Sequence, residues 1–331
     1  MNYIGSKIRL SDFIYNTITR VAGKDLSGYT FCDLFAGTGT VGKIFRGKVK
    51  KIIRNHREYY SYVLNKAYLQ RTDNSDSIHL IDELNKLQGY PGFIFNEYSE
   101  KGKSGRLYFS EVNGQKIDAI RLKIERWKTT KVISENMYYL LLASLIEGTD
   151  KVANTASVYC AYLKQLKSTS KKEIIVKPID GLCSKGTKIK VYNEDSNQLI
   201  KKIKGDILYL DPPYNGREYG SYYHLLNTIA VYDNDFVPKG KAGLRHYTTS
   251  KYCKKKEAAK ALDELIEKAN FRYIFLSYNN EGLIAPDYIR EIMTRYGRYS
   301  VTSIPYSRFK SQRTQLNTKT MEYIHILTKY V

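Results

Sequence analysis

A short apolar run that ends at two prolines constrains this chain more than any other feature of its sequence. Residues 207–210 (Ile-Leu-Tyr-Leu) are typical of a buried strand, and Asp211-Pro212-Pro213-Tyr214 follows at once. Proline cannot donate a hydrogen bond to a strand ladder and restricts the residue before it, so the chain must leave the sheet at Asp211. These residues therefore lie at the carboxyl end of a strand, where open α/β sheets bind ligands.

This motif has two interpretations. In the first, the carboxylate of Asp211 and the carbonyl of Pro212 accept the two N–H bonds of an amino group on a planar base, and the ring of Tyr214 stacks on that base. In the second, the motif is only a tight loop after a core strand, because Pro-Pro and Asp-Pro are common in turns. The rest of the chain decides between them.

The charge of the chain indicates a polyanionic partner. It has 331 residues, with 54 Lys and Arg against 33 Asp and Glu, for a net charge of +21. Each phosphate that a basic side chain neutralises releases counterions, so this excess favours nucleic acid. A membrane surface is the competing explanation, but no basic amphipathic stretch is evident. The 31 tyrosines also suit base stacking and phosphate contacts.

Cysteine spacing and hydropathy exclude several classes of protein. Cys32, Cys160, Cys183 and Cys253 lie far apart, with no Cys-x-x-Cys and no Cys/His pair at zinc spacing. We therefore expect free thiols in a reducing compartment and no metal site. The N-terminus has no secretory apolar core, and the longest apolar run, residues 138–146, is far short of the roughly 20 residues of a membrane span. These features predict a cytoplasmic protein without a membrane partner.

A glycine-rich loop follows an apolar strand near the N-terminus. Gly37, Gly39 and Gly42 form a Gly-x-Gly-x-x-Gly pattern before a helix that should begin near residue 41. Glycines let the backbone turn tightly and approach a ligand at the switch point of a doubly wound sheet. Alone, the pattern would also suit a dinucleotide. Asp33 before the turn, and Phe35 within it, favour S-adenosylmethionine instead, because an acid there can hold a methionine amino group.

Polar groups that could serve the same ligand occur at three further places. Lys7 and the amides of the helix start that follows it could meet a carboxylate or phosphate, although an ordinary capped helix explains them equally well. After a strand at residues 50–54, His56 and Glu58 stand where nucleoside-binding folds place an acid for the ribose hydroxyls. A strand that ends at Asp195 provides an acceptor for an adenine amino group.

The long segment between the two motifs predicts a separate region. Residues 71–185 are rich in Lys, Arg and Tyr and contain one amphipathic and one buried helix. We assign residues 1–70 and 186–331 to a catalytic domain and the insert to recognition of nucleic acid, with a solvated helical subdomain as the alternative. The predicted nucleic-acid contacts are Arg106, Arg217, Tyr219, Arg308, Lys310 and Arg313.

Together these features resemble the Dam-like (alpha-group) DNA N6-adenine methyltransferases, which are usually partners of restriction enzymes. The shared order covers most of the chain: an N-terminal Tyr-x-Gly-Ser-Lys, a Phe-x-Gly-x-Gly loop, a long insert and Asp-Pro-Pro-Tyr. The resemblance implies an α/β fold, with a Rossmann-like S-adenosylmethionine-dependent methyltransferase sheet and an inserted, mainly helical target-recognition region. It implies a catalytic tetrad, Asp211, Pro212, Pro213 and Tyr214. It also implies a cofactor site that comprises Tyr3, Gly5, Ser6, Lys7, Asp33, Phe35, Ala36, Gly37, Thr38, Gly39, Asn55, His56, Glu58, Asp195 and Asp211.

One position departs from the family pattern. The family usually has Asn-Asp where this chain has Asn55-His56, and that Asp holds the ribose hydroxyls. Loss of a charge-assisted hydrogen-bonded contact would weaken cofactor binding by about 1.5–3 kcal/mol, which is roughly one to two decades in affinity. Either Glu58 takes over this role or the chain binds its cofactor poorly, and the sequence leaves both open.

The predicted reaction is transfer of a methyl group from S-adenosylmethionine to N6 of an adenine that has left the stack of duplex DNA. A cognate restriction endonuclease acting separately is the expected partner. The alternatives are methylation of cytosine N4 or of RNA adenine, a catalytically weakened DNA-binding protein, and a nicotinamide enzyme. The last of these leaves Asp-Pro-Pro-Tyr and the net charge unexplained.

Overall fold

The structure is a computed structural model that describes residues 7–68, 75–179, 186–306 and 320–330. These residues form two compact units. The sheet unit takes its residues from within 5–57, 184–218 and 249–331, and the helical unit takes most of its residues from within 58–183 and 219–248. The glycine-rich loop and the Asp-Pro-Pro-Tyr motif both belong to the sheet unit.

One seven-stranded sheet, counted over the described residues, forms the sheet unit. Its strands are β1 (Thr30–Asp33), β2 (Lys51–Asn55), β3 (Lys188–Tyr192), β4 (Lys204–Leu210), β5 (Asn270–Asn279), β6 (Gly297–Tyr306) and β7 (Thr320–Lys329). The order across the sheet is β3-β2-β1-β4-β5-β7-β6, and β7 runs antiparallel to both of its neighbours while the other pairs are parallel. The carboxyl ends of β1, β2 and β4 therefore share one edge with the amino end of β7.

The helices of the sheet unit cover both faces of the sheet. They are α1 (Ser11–Ala22), α2 (Thr40–Ile44), α8 (Ser196–Leu199), α11 (Ala258–Lys268) and α12 (Pro286–Thr294). Along β4, Ile207 and Tyr209 enter one hydrophobic core while Leu208 and Leu210 enter another. A strand that is buried on both faces needs apolar residues at every position. This confirms the buried strand that was predicted before Asp211.

The helical unit contains the two predicted helices of the insert. Its helices are α3 (Tyr59–Ala67), α4 (Ser75–Lys86), α5 (Phe93–Tyr98), α6 (Glu111–Thr129), α7 (Glu135–Val152), α9 (Tyr219–Tyr222) and α10 (His224–Val231). Ser110 and Ser134 cap α6 and α7, because each side chain accepts a hydrogen bond from a backbone amide three residues later. The predicted buried segment at residues 138–146 lies inside α7. The described residues also form three short 3-10 helices: Ile8–Leu10, Ser168–Lys171 and Lys251–Cys253.

The boundaries of the helical unit differ from the predicted insert of residues 71–185. The unit also includes α3, α9 and α10, because Tyr60 and Leu64 of α3 and Leu226 and Ile229 of α10 are buried in the same core as the helices of the insert. Apolar faces that bury each other form one unit regardless of their separation in the chain. The role of this unit in target recognition stays a prediction.

Candidate active site

Lys7 joins two carboxylates at the carboxyl edge of the sheet. Its Nζ lies 3.1 Å from Oδ1 of Asp211, which follows β4, and 2.7 Å from Oε1 of Glu322 on β7. The side chains of Lys7 and Glu322 are about 95% buried, and that of Asp211 is 17% exposed. The hydroxyl of Ser277, at the end of β5, donates to the same Oε1 at 2.9 Å. Asp211 Oδ2 accepts no hydrogen bond from the described residues, so it is available to a substrate.

Burial and pairing change the ionisation of these groups. Burial raises the pKa of Asp211 to about 6; Lys7 acts to lower that pKa and Glu322 acts to raise it. Burial also acts to lower the pKa of Lys7, but the carboxylates of Asp211 and Glu322 outweigh this effect and raise it well above the usual value. Lys7 is therefore a permanent cation, and Asp211 is an anion above about pH 6.

The ring of Tyr214 is held by β5 and the loop that follows it. It contacts the ring of Tyr278 edge to face, with the ring centres 6.0 Å apart, and the backbone carbonyl of Tyr214 accepts a hydrogen bond from Leu283 N–H. The Nζ of Lys7 lies 5.7 Å from the centre of the Tyr214 ring. The ring is only partly buried, so one part of it can meet a ligand.

The glycine loop turns tightly at the end of β1. Gly37 and Gly39 have φ angles of +50° and +76°, a region that side chains with a Cβ rarely occupy. The backbone of Ala36 donates to the carbonyl of Asn55, and Gly39 N–H donates to the Ala36 carbonyl. The Phe35 ring meets the edge of Tyr252 with centres 5.2 Å apart, and the hydroxyls of Thr38 and Thr40 lie 3.3 Å apart. The sharp loop predicted from the sequence is confirmed.

Asp33 anchors this loop from inside the protein. Its carboxylate accepts a hydrogen bond from Gly42 N–H at 3.1 Å, and it is aligned with Arg54 on β2. A Cβ at Gly42 would lie 2.5 Å from Nε of Arg54, so the third glycine leaves room for this guanidinium. Burial raises the pKa of Asp33 to about 7, and Arg54 opposes the rise. Asp33 is only 1% exposed, so little of its carboxylate can be reached by a ligand. Its predicted contact with a methionine amino group stays a prediction.

The side chain of Asn55, a predicted cofactor contact, is bonded to neighbouring backbone groups, and its role at the cofactor stays a prediction. Its side-chain amide donates to the carbonyls of Leu34 and Glu194, and its Oδ1 accepts from Glu194 N–H. The side chain is buried and holds the ends of β1 and β3 together. Asp195, the residue after Glu194, is exposed. Its Oδ1 caps α8 by accepting hydrogen bonds from backbone amides of that helix. Its Oδ2 accepts no hydrogen bond within the described ranges.

The two candidates for the ribose contact belong to different units. His56 lies at the end of β2 in the sheet unit, and burial lowers its pKa to about 4, so the ring is neutral at physiological pH. Glu58 begins the helical unit, where its carboxylate accepts a hydrogen bond from the side-chain amide of Asn227. Glu58 therefore has a structural partner of its own. Its role at the ribose stays a prediction.

The predicted nucleic-acid contacts have different outcomes. Arg106 is engaged within the helical unit, which argues against its predicted contact with nucleic acid: its guanidinium donates to Glu97 and to the carbonyls of Pro238 and Gly240, and the side chain is only 14% exposed. Arg217 is exposed, and Tyr219 stacks on Tyr223 at the start of α9. The remaining predicted site residues lie outside the described ranges: Tyr3, Gly5 and Ser6 for the cofactor, and Arg308, Lys310 and Arg313 for nucleic acid.

Sequence reasoning assigned no role at the site to three residues of this region. Glu322, Ser277 and Arg54 are buried within β7, β5 and β2. A charged residue inside an apolar strand is the signal that could have drawn attention to Arg54 and Glu322. No group of three or more His, Cys, Asp or Glu in the described ranges could hold a metal ion. None of the described helices is long and apolar enough to cross a membrane.

Comparison with known proteins identifies the family of this chain. Residues 3–292 match the D12 class N6 adenine-specific DNA methyltransferases. The chain belongs to this family. It is 52% identical to the Type II methyltransferase M.NlaIII of Neisseria lactamica, over 99% of each chain. It is 39% identical to M.FokI of Planomicrobium okeanokoites, over 99% of this chain and 53% of that one, and 35% identical to M.CviAII of Paramecium bursaria Chlorella virus 1, over 98% and 97%.

Membership of the D12 class confirms several predictions. The chain is an adenine-specific DNA methyltransferase with an α/β methyltransferase fold, and the resemblance to the N6-adenine enzymes of restriction-modification systems was correct. The alternatives of cytosine N4 and RNA methylation, and of a nicotinamide enzyme, are set aside.

Proposed function

We propose that this D12 methyltransferase methylates N6 of an adenine rotated out of duplex DNA, with Asp211 and Pro212 as the acceptors of the amino hydrogens. The observation that carries the proposal is the state of Asp211: Oδ1 is paired with Lys7, while Oδ2 is available at the carboxyl edge of the sheet. The two acceptors draw density toward N6 and favour its pyramidal, nucleophilic form. Tyr214 stacks on the base.

S-adenosylmethionine fits the residues around this point. The glycine loop has the left-handed turns that allow close approach of a ligand, and Asp195 presents one unoccupied carboxylate oxygen next to β3. Phe35 supplies a partly buried aromatic wall. When bound, this cofactor would supply the electrophilic methyl group of its sulfonium to N6. Asp211, an anion above about pH 6, can receive the proton that N6 then loses.

The wider setting of the reaction follows from the family and the charge. Curated relatives are named Type II methyltransferases and modification methylases, so a separate endonuclease with the same target is the expected partner. The net charge of +21 favours duplex DNA through the release of counterions. We assign target recognition to the helical unit and place the enzyme on DNA in the cytoplasm.

The test is transfer of a labelled methyl group from S-adenosylmethionine to mixed-sequence duplex DNA, followed by nucleoside analysis. Asp211→Asn keeps the shape of the side chain but removes its charge, and we expect a loss of at least about 100-fold. The matched control is Asp287→Asn, an exposed position on α12. Label in N6-methyladenine that depends on Asp211 supports the proposal. Full activity of Asp211→Asn, or label in cytosine, contradicts it.

A further inference from the structure

Three ionic side chains from distant parts of the chain meet in the buried cluster beneath the catalytic motif. Lys7 comes before α1, Asp211 follows β4, and Glu322 lies near the start of β7. One ammonium serves two carboxylates, and its Nζ lies closer to Glu322 (2.7 Å) than to Asp211 (3.1 Å). Ser277 donates to the same oxygen of Glu322 and fixes it from β5. Glu322 and Ser277 belong to neither the glycine loop nor the Asp-Pro-Pro-Tyr motif.

We propose that Glu322 is a positioning residue for methyl transfer: it takes the larger share of the Lys7 ammonium and thereby keeps the Asp211 carboxylate available to the amino group of the base. The inference rests on the proposed role of Asp211. An ammonium bound only to Asp211 would hold that carboxylate in a tight ion pair and weaken it as an acceptor. Because Glu322 is a second buried carboxylate beside Lys7, the ammonium pairs with both and binds Asp211 less tightly. Glu322 therefore acts on Asp211 through Lys7 and through its own negative charge, and it does not itself touch the base.

The charges around Asp211 support this division. The groups that act electrostatically on Asp211, or on its partner Lys7, are Lys7, Glu322, Asp33, Tyr209 and Tyr214. Burial has the largest effect on the pKa of Asp211 and raises it, Lys7 lowers it, and Glu322 raises it again. Removing the charge of Glu322 should therefore lower the pKa of Asp211. Removing Lys7 should raise it, because two buried carboxylates would then face each other.

A double-variant experiment tests this order of action. Single-turnover methylation of duplex DNA is measured at saturating cofactor from pH 5 to pH 9. Lys7→Gln should lower the rate at neutral pH roughly 10- to 100-fold, since Asp211 becomes protonated beside Glu322. Adding Glu322→Gln to Lys7→Gln should raise the rate again roughly tenfold, because no second carboxylate then opposes the ionisation of Asp211. A double variant that is no faster than Lys7→Gln at any pH overturns the proposal.

The single variant gives a second, independent readout. Glu322→Gln keeps the shape of the side chain. Because Lys7 then pairs with Asp211 alone, the rate at neutral pH should fall and the acid limb of the rate profile should move to lower pH. Ser277→Ala removes a hydrogen bond but no charge, and should leave that limb in place. An unmoved limb in Glu322→Gln, or an equal shift in Ser277→Ala, contradicts the proposal. Glu267→Gln, an exposed position in the sheet unit, is the matched control.

Two further measurements keep the outcomes separable. If Glu322→Gln fails to fold in thermal unfolding experiments, Glu322→Asp retains the charge and should lower the rate while the acid limb stays at the wild-type pH; a shifted limb there overturns the proposal. Asp211→Asn is run in parallel. If it remains active, the proposed role of Asp211 fails; if it is inactive while the Glu322 variants behave as wild type, only the present inference fails.

Discussion

The side chain of Asn55 and the backbone of Glu194 exchange two hydrogen bonds: Nδ2 donates to the Glu194 carbonyl at 3.1 Å, and Oδ1 accepts from Glu194 N–H at 3.0 Å. This pair ties the end of β2 to the loop after β3. Asn193 strengthens the connection, because its amide donates to the carbonyls of His56 and Arg57. The backbone of His56 is therefore held against Tyr192 and Asn193, just before Asp195 in the chain, at one edge of the sheet.

The first prediction concerns His56. A carboxylate at this position can accept from both ribose hydroxyls, which the neutral imidazole cannot do. We expect His56→Asp to tighten binding of S-adenosylmethionine roughly 10- to 100-fold, as measured by isothermal titration calorimetry. His246→Asp, at an exposed position of the helical unit, should leave the affinity unchanged. Unchanged affinity in His56→Asp together with weaker binding in Glu58→Gln would assign the ribose contact to Glu58 instead.

The second prediction concerns the pH dependence of catalysis. Burial raises the pKa of Asp211 to about 6, and the protonated carboxyl is a poorer acceptor for the amino group. The single-turnover rate should therefore be constant above about pH 7 and fall as the pH drops through about 6. Asp211→Asn should be slow at every pH and lose this limb. A wild-type limb that persists in Asp211→Asn would show that another group controls it.

The third prediction separates two arginines. Arg106 is bonded within the helical unit, so Arg106→Ala should lower the free energy of unfolding by about 2–4 kcal/mol and leave the salt dependence of DNA binding unchanged. Arg217 is exposed, and Arg217→Ala should leave stability unchanged but reduce the slope of log affinity against log salt by about one. Urea unfolding and DNA titrations at several salt concentrations measure the two effects. The reverse assignment of effects would contradict both roles.

The fourth prediction concerns the stability of the helical unit. His224 is fully buried, its Nε2 lies 2.8 Å from the Tyr159 carbonyl, and burial lowers its pKa to about 4. In the unfolded chain this histidine binds a proton near pH 6.5, whereas in the folded protein it does so only near pH 4. As the pH falls, the unfolded state is therefore protonated first and is stabilised relative to the folded state. The contribution of His224 to stability is complete above pH 6.5 and is lost between pH 6.5 and 4, by roughly 3 kcal/mol in total.

Urea unfolding at several pH values measures this loss. His224→Gln can keep a donor near the Tyr159 carbonyl but cannot titrate, so its unfolding free energy should fall less steeply below pH 6.5 than that of the wild type. His79→Gln, at an exposed position of α4, should retain the wild-type dependence. An identical slope in His224→Gln and wild type would mean that the buried ring does not control this transition.

Local patterns in the sequence determined much of this protein. The unbroken apolar run before Asp211 specifies a strand buried on both faces, the glycines specify a left-handed turn after β1, and Ile117 and Ile124 lie on the buried face of α6 as their spacing predicts. Each of these depends on neighbouring residues and on the period of the backbone. The order of the motifs was enough to predict the family.

Tertiary structure alone decided which polar groups meet. Lys7 joins Asp211 to Glu322, the side chain of Asn55 bonds to backbone groups, and Arg106 binds carbonyls that are 132 and 134 residues away. A single side chain carries no periodic signal, so its partner depends on which distant segments the sheet and the helical core bring together. Burial then sets the charge of that side chain, as the pKa of about 6 at Asp211 illustrates, and burial is a property of the folded chain.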